Sequence, residues 1–147
     1  MDITAKDVVD QWKLDSCIDE LAINVEICRT PALHSKYLQY YIHFKDELSK
    51  LDAAFYRLGN VKRKYYRGEF TREELAKYGW EQFQGLKPSN VEMQSHLNYD
   101  VDMIAFQEKI DNAKTAISSC EIILKNIASR DFGMKTLVDY NKYLSGG

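Results

Sequence analysis

Apolar residues through the middle of the chain recur at alternating steps of four and three. Tyr37, Tyr41, Phe44, Leu48, Leu51, Phe55 and Leu58 form one such seam. Tyr99, Met103, Phe106, Ile110, Ala113, Ile117, Cys120, Leu124 and Ile127 form a second. This heptad spacing sets one side of a helix against a partner helix. Lys62 and Tyr65 continue the first seam past Gly59 and Asn60. A continuous or kinked helix is therefore expected there, although glycine in a helix costs about 1 kcal/mol.

Local punctuation divides the chain further. Thr4 and Asp7 have the spacing of a helix cap, and Thr30 with Pro31 reads as a cap followed by a first-turn proline. Thr71 and Glu74 form a second capping pair, and the short helix they open stops at Gly79. Gly85, Pro88, Ser89 and Asn90 make the stretch from residue 84 to 98 loop-like. Residues 21–27 alternate like a strand, yet Ile18, Leu21, Val25 and Cys28 also suit a helix. With no partner strand elsewhere, a helix or an irregular extended piece is expected.

The predicted architecture is all-α, one helical domain over residues 1–147. It comprises an N-terminal region (1–30), a long helix with a basic end (31–68), and an insert of short helix and loop (69–98). A second long helix (99–128) and a C-terminal helix (131–144) follow. Two long helices joined by a compact insert fold back as an antiparallel hairpin. Two helices make a thin core, so the apolar residues beside the seams need cover from the end helices or from other copies of the chain. Phe132, Met134, Leu137, Val138, Tyr140 and Leu144 make the last helix the candidate assembly element.

Composition narrows the class. Hydrophobic residues make up 45% of 147, enough for a folded core rather than a disordered tail. The start lacks a basic, then apolar, signal pattern, and the apolar runs are too short for a membrane span. Cys17, Cys28 and Cys120 lack the spacing of a zinc or dithiol site and are expected as buried thiols. His34, His43 and His96 lie far apart, and neither a phosphate-cradling glycine loop nor a nucleophile motif occurs. Asp100 and Asp102 read as favouring a helix dipole rather than as cation ligands. No catalytic residue, metal or cofactor is expected.

Charge then singles out one segment. The chain carries 20 basic against 22 acidic residues, yet Arg57, Lys62, Arg63, Lys64 and Arg67 crowd around Tyr65 and Tyr66. Arg63, Tyr66 and Arg67 share a helical face by their spacing. Cations that track phosphates, beside rings that can stack on bases, suit single-stranded nucleic acid. A few charges bind weakly, so binding of consequence needs the patch repeated by oligomerisation. The competing reading is a structural or scaffolding hairpin protein whose basic run pairs with a neighbour's acidic surface.

Longer strings add a resemblance. LHSKYLQYY (33–41), YYRGEFTREELAKYGWEQF (65–83) and SRDFGMKTL (129–137), with DSCID near residue 15, resemble the UvsY family of recombination mediators of T4-type bacteriophages. The resemblance runs in order along nearly the whole chain. It implies a non-enzymatic helical protein that assembles into a ring-like homo-oligomer in the cytoplasm of an infected bacterium. It implies binding of single-stranded DNA, contact with the phage recombinase (UvsX-like) and with the phage single-strand-binding protein, and help in loading recombinase onto covered DNA. The DNA-binding positions it implies are Asn60 to Lys64. Asn60 stands where the family usually has a basic residue, Lys62 takes another such position, and Arg63 and Lys64 compensate. The resemblance also links the C-terminal part to assembly.

Overall fold

The computed structural model describes residues 2–146, and among them every regular element is helical. α1 spans Ala5–Asp15, α2 Ile23–Tyr66, α3 Arg72–Tyr78, α4 Asn90–Tyr99 and α5 Val101–Leu144. α2 and α5 have 44 residues each, a length of roughly 66 Å at 1.5 Å per residue. The chain forms two compact units, one of residues up to Glu47 with those from Asn112 onward, the other of Leu48–Asp111.

In the first unit α2 and α5 run antiparallel, with Glu26 meeting Arg130 and Tyr37 lying near Cys120. Val8, Leu33, Tyr37, Phe44, Ile117, Cys120 and Ile127 form its core. Burial pushes the Cys120 thiol up to about 11. α1 starts at a Thr4–Asp7 capping box, as its sequence predicts. It is tied to α2 where Lys36 and the Tyr37 hydroxyl donate to Asp15, at 2.6 and 2.9 Å. The edge of Trp12 also meets Tyr37, with centroids 5.4 Å apart.

Four local expectations give way to tertiary contacts. α2 begins at Ile23 rather than at Pro31, which lies inside the helix. An interior proline loses one backbone hydrogen bond and costs about 3 kcal/mol, but contacts with α5 and α1 hold the preceding turns. Buried Arg130 donates to the Glu26 carboxylate and carbonyl, and Arg29 donates to the Asp15 carbonyl at 2.8 Å. Thr30 is no cap, since its hydroxyl donates to Asp131 at 2.8 Å. The expected second long helix and C-terminal helix are one helix, because Ile123, Ile127, Arg130 and Met134 carry a single buried face across the proposed break. Met134 is therefore only 1% exposed, a core residue of the protomer rather than part of a free assembly surface.

Ile18, Leu21 and Val25 face outward despite their helical spacing, and only Cys120 of the three cysteines is buried. Cys28 departs from the expected burial because the polar contacts of Glu26 and Arg29 turn the opposite side of α2 inward, and Cys17, in the turn after α1, is exposed as well.

In the second unit α2 passes without interruption through Gly59 and Asn60. The Thr71–Glu74 capping box and the left-handed Gly79 (φ 68°) bound α3 as expected. The expected loop instead contains α4, opened by a Ser89–Glu92 capping box and anchored by buried Met93 and Leu97. Tyr99 ends α4 and is exposed, so the seam of α5 starts at Met103.

Candidate nucleic-acid interface

The basic run occupies the last three turns of α2, where the helix faces the insert on one side and solvent on the other. Lys62 follows Leu58 in the seam and points inward. Its ammonium lies 3.0 Å from Asp100 and 2.7 Å from Asp102, with only 6% of the side chain exposed. It also sits 4.0 Å from the centroid of Trp80, a cation–π contact. Lys62 was expected to contact DNA, but here its charge is consumed within the protomer.

Asp100 is the hub of this cluster. Its Oδ1 accepts the backbone N–H groups of Asp102 and Met103, both at 3.0 Å, and so caps α5. Its Oδ2 accepts the Tyr66 hydroxyl at 2.6 Å. Burial alone pushes the Asp100 carboxyl up, but the bonds from Tyr66, the Met103 N–H and Lys62, with the lysine charge, outweigh it. The group is held below the usual carboxylate range. Asp100 and Asp102 thus serve the start of α5, as their position predicts, and hold a lysine. Among the described residues no three His, Cys, Asp or Glu side chains gather to bind a metal ion.

The two tyrosines of the run are likewise committed. Tyr66 stacks on His96 at 4.9 Å and meets the edge of Phe83 at 5.1 Å. Burial and Asp100 push its hydroxyl far up. Tyr65 donates to the Glu81 carbonyl at 2.6 Å and packs against Phe70 and Trp80. Tyr66 was expected to face solvent with Arg63 and Arg67. Its ring instead joins the aromatic cluster that fastens the insert to α2, because His96, Phe83 and Asp100 together cover it.

The remaining polar side chains lie on the outer face. Arg57, Asn60 and Arg67 are exposed and Arg63 is half-buried. The Arg63 guanidinium donates to the Asn60 side-chain oxygen at 3.2 Å. Among the described residues, none of the three arginines has a carboxylate within ion-pair distance. Lys64 pairs with Glu74 at 2.9 Å at the surface. Such an exposed pair contributes at most about 1 kcal/mol, so a phosphate can exchange for Glu74. The face can therefore hold a polyanion, although it presents three arginines and one exchangeable lysine rather than the full run.

Nothing in the sequence marks Trp80, His96 or Asp100 as partners of the run. The one available signal was the seam itself, which already placed Lys62 and Tyr65 on the inward side.

A family model described as "Recombination, repair and ssDNA binding protein UvsY" matches residues 11–147. The recombination protein uvsY of Enterobacteria phage T4 is 23% identical over 141 residues, which is 96% of this chain and 97% of that protein. Crystal structures of the bacteriophage T4 recombination mediator protein UvsY share the fold. Lattice type IV superposes with a TM-score of 0.79 at 20% identity, covering 96% of this chain and 99% of that one. Lattice type II gives 0.80 at 21%, covering 97% and 98%.

Proposed function

The chain belongs to the UvsY family of recombination, repair and single-stranded-DNA-binding proteins, and we propose that it holds the DNA strand on the outer face of α2 through Arg57, Asn60, Arg63, Lys64 and Arg67. It is a recombination mediator. The observation that carries the assignment of the face is the set of three arginines without carboxylate partners among the described residues, on a protein whose formal net charge is −2. Cations left unpaired in an overall acidic protein are available to phosphates, and their release of counterions drives binding.

The mediator works without catalysis of its own. It binds single-stranded DNA covered by the phage single-strand-binding protein, contacts the phage recombinase, and helps the second replace the first in the cytoplasm of the infected host. No helix among the described residues is long and apolar enough to cross a membrane. On DNA already coated with single-strand-binding protein, adding this protein should raise the DNA-dependent ATP hydrolysis of the recombinase, while the protein alone hydrolyses none. ATP hydrolysis by the protein alone, or no effect on the recombinase, overturns this reading. A scaffolding role without nucleic acid is the outcome if no single-stranded DNA is bound at low salt.

Assembly into a ring-like homo-oligomer multiplies a weak patch. Phe132, Tyr140 and Leu144 support it, being 75%, 56% and 64% exposed at the end of α5, where burial of each contributes roughly 1.5 to 3 kcal/mol. Leu137 and Val138 are half-buried beside them. Replacing Phe132, Tyr140 and Leu144 together by serine is expected to lower the mass seen by sedimentation and keep the helical circular dichroism. An unchanged mass removes these residues from the assembly surface.

A further inference from the structure

Tyr65 and Tyr66 are turned inward, so an aromatic platform for a base must come from elsewhere on the unit. Three other tyrosines reach solvent there. Tyr78 is stacked on Trp80, with centroids 4.6 Å apart. Tyr99 lines a cleft with the carboxylates of Asp100 and Asp102, which repel a phosphate chain. Tyr56 is 71% exposed and has one ring neighbour, the edge of Phe55 at 6.1 Å.

The helical position of Tyr56 is distinctive. Tyr56, Asn60, Arg63 and Arg67 follow at steps of four, three and four, so they share one stripe along the end of α2, where Arg67 follows the last helical residue with its N–H still donating to the Arg63 carbonyl. The stripe is roughly 16 Å long, the rise of about five nucleotides at 3.4 Å each. Half-buried Asp52, one turn before Tyr56, closes it with a negative charge. A strand lying here has its phosphates on the arginine side, and the exposed ring at the other end.

We infer that Tyr56 is a base-stacking residue of the single-strand track, with one nucleobase lying on its ring while Arg63 and Arg67 take the phosphates that follow. The inference rests on the reading that DNA lies on this face. A ring face accepts any base, so the contact adds affinity without sequence preference, as a mediator acting along a whole strand requires.

The experiment compares an oligothymidylate with an abasic oligonucleotide of the same length, against the parent, Tyr56→Ala and Tyr56→Trp proteins. Tyr56→Ala should bind oligothymidylate about 5- to 150-fold more weakly and the abasic strand as the parent does. Its salt slope should not change, because no phosphate contact is lost. Tyr56→Trp should restore or tighten binding, and all three should melt alike because the ring is exposed. Equal losses on both strands, or parental binding of oligothymidylate by Tyr56→Ala, overturn the inference. If parental binding by Tyr56→Ala accompanies loss in an Arg57, Arg63 and Arg67 triple variant, the DNA face stands and only the stacking role fails. If the parent itself binds neither strand, both fail together.

Discussion

Replacing Lys62 by alanine is expected to lower stability by about 3 to 5 kcal/mol, because it leaves a buried carboxylate without its counter-charge. The side chains of Lys62 and Asp100 are 6% and 5% exposed, so solvent screens the pair little. Asp100 also holds the start of α5 and the Tyr66 hydroxyl, and the loss spreads to the seat of the insert. Lys62→Met, which keeps the stem, should recover little alone, whereas adding Asp100→Asn should recover part of the loss. Urea denaturation measures each step. At temperatures where Lys62→Ala remains folded, its single-strand affinity should show the parental salt slope. A variant of parental stability with a flattened slope would restore Lys62 to the DNA contacts.

The same cluster makes the fold acid-sensitive. Asp100 is held below its ordinary value in the folded chain, and so is Asp15, where burial pushes up but Lys36 and Tyr37 outweigh it. A depressed carboxyl adds stability that is fully present above the unfolded value, about 3.9, and is lost as pH falls through the lower folded value. These two groups should therefore contribute a constant stability from neutrality down to about pH 5 and a falling one below about pH 4. Lys62→Met should blunt the acid loss assigned to Asp100. An equal acid slope in the parent and this variant would show that Lys62 does not hold that carboxyl.

Simultaneous replacement of Arg57, Arg63 and Arg67 by alanine is expected to weaken single-strand binding by roughly 50-fold per protomer at about 0.15 M salt. Three phosphate contacts at a slope of about 0.7 each give that factor, and the logarithmic salt slope should fall by about 2. Repetition of the patch in an oligomer multiplies the effect. Stability and helicity should hold, because Arg57 and Arg67 are exposed and none of the three makes an ion pair among the described residues. Anisotropy titrations at several salt concentrations measure both numbers. Parental affinity and slope would place the strand on another surface.

Much of the fold is legible in the sequence. The caps at Thr4 and Thr71, the stop at Gly79 and the continuity of α2 through Gly59 all follow from bonds made within four residues of each position. The heptad steps placed Phe44, Ile110, Ile117 and Ile127 inside correctly. α4 is legible too, in the Ser89–Glu92 capping pair, but Gly85 and Pro88 just before it outweigh that signal.

Helix periodicity and capping are local properties, so the chain order of residues was enough to determine the middle of each long helix, most of its seam and the location of the basic run. It did not determine where α2 begins or that α5 continues to Leu144. Which cations of that run remain free was decided only in three dimensions. Lys62 and Tyr66 find their partners on α5 and at its cap, 40 and 34 residues away in sequence. The heptad seam marks Lys62 as the inward cation of the run, but the carboxylates that meet it lie too far along the chain for local spacing to reveal. The exposure of Tyr56 is likewise set in three dimensions, by the placement of its ring on the solvent side of α2. Pro31 is accommodated within α2 because Arg130, about 100 residues further on, donates to Glu26 and Thr30 around it. A helix boundary or a binding face set by long-range pairing depends on what lies opposite, and only the tertiary structure supplies that.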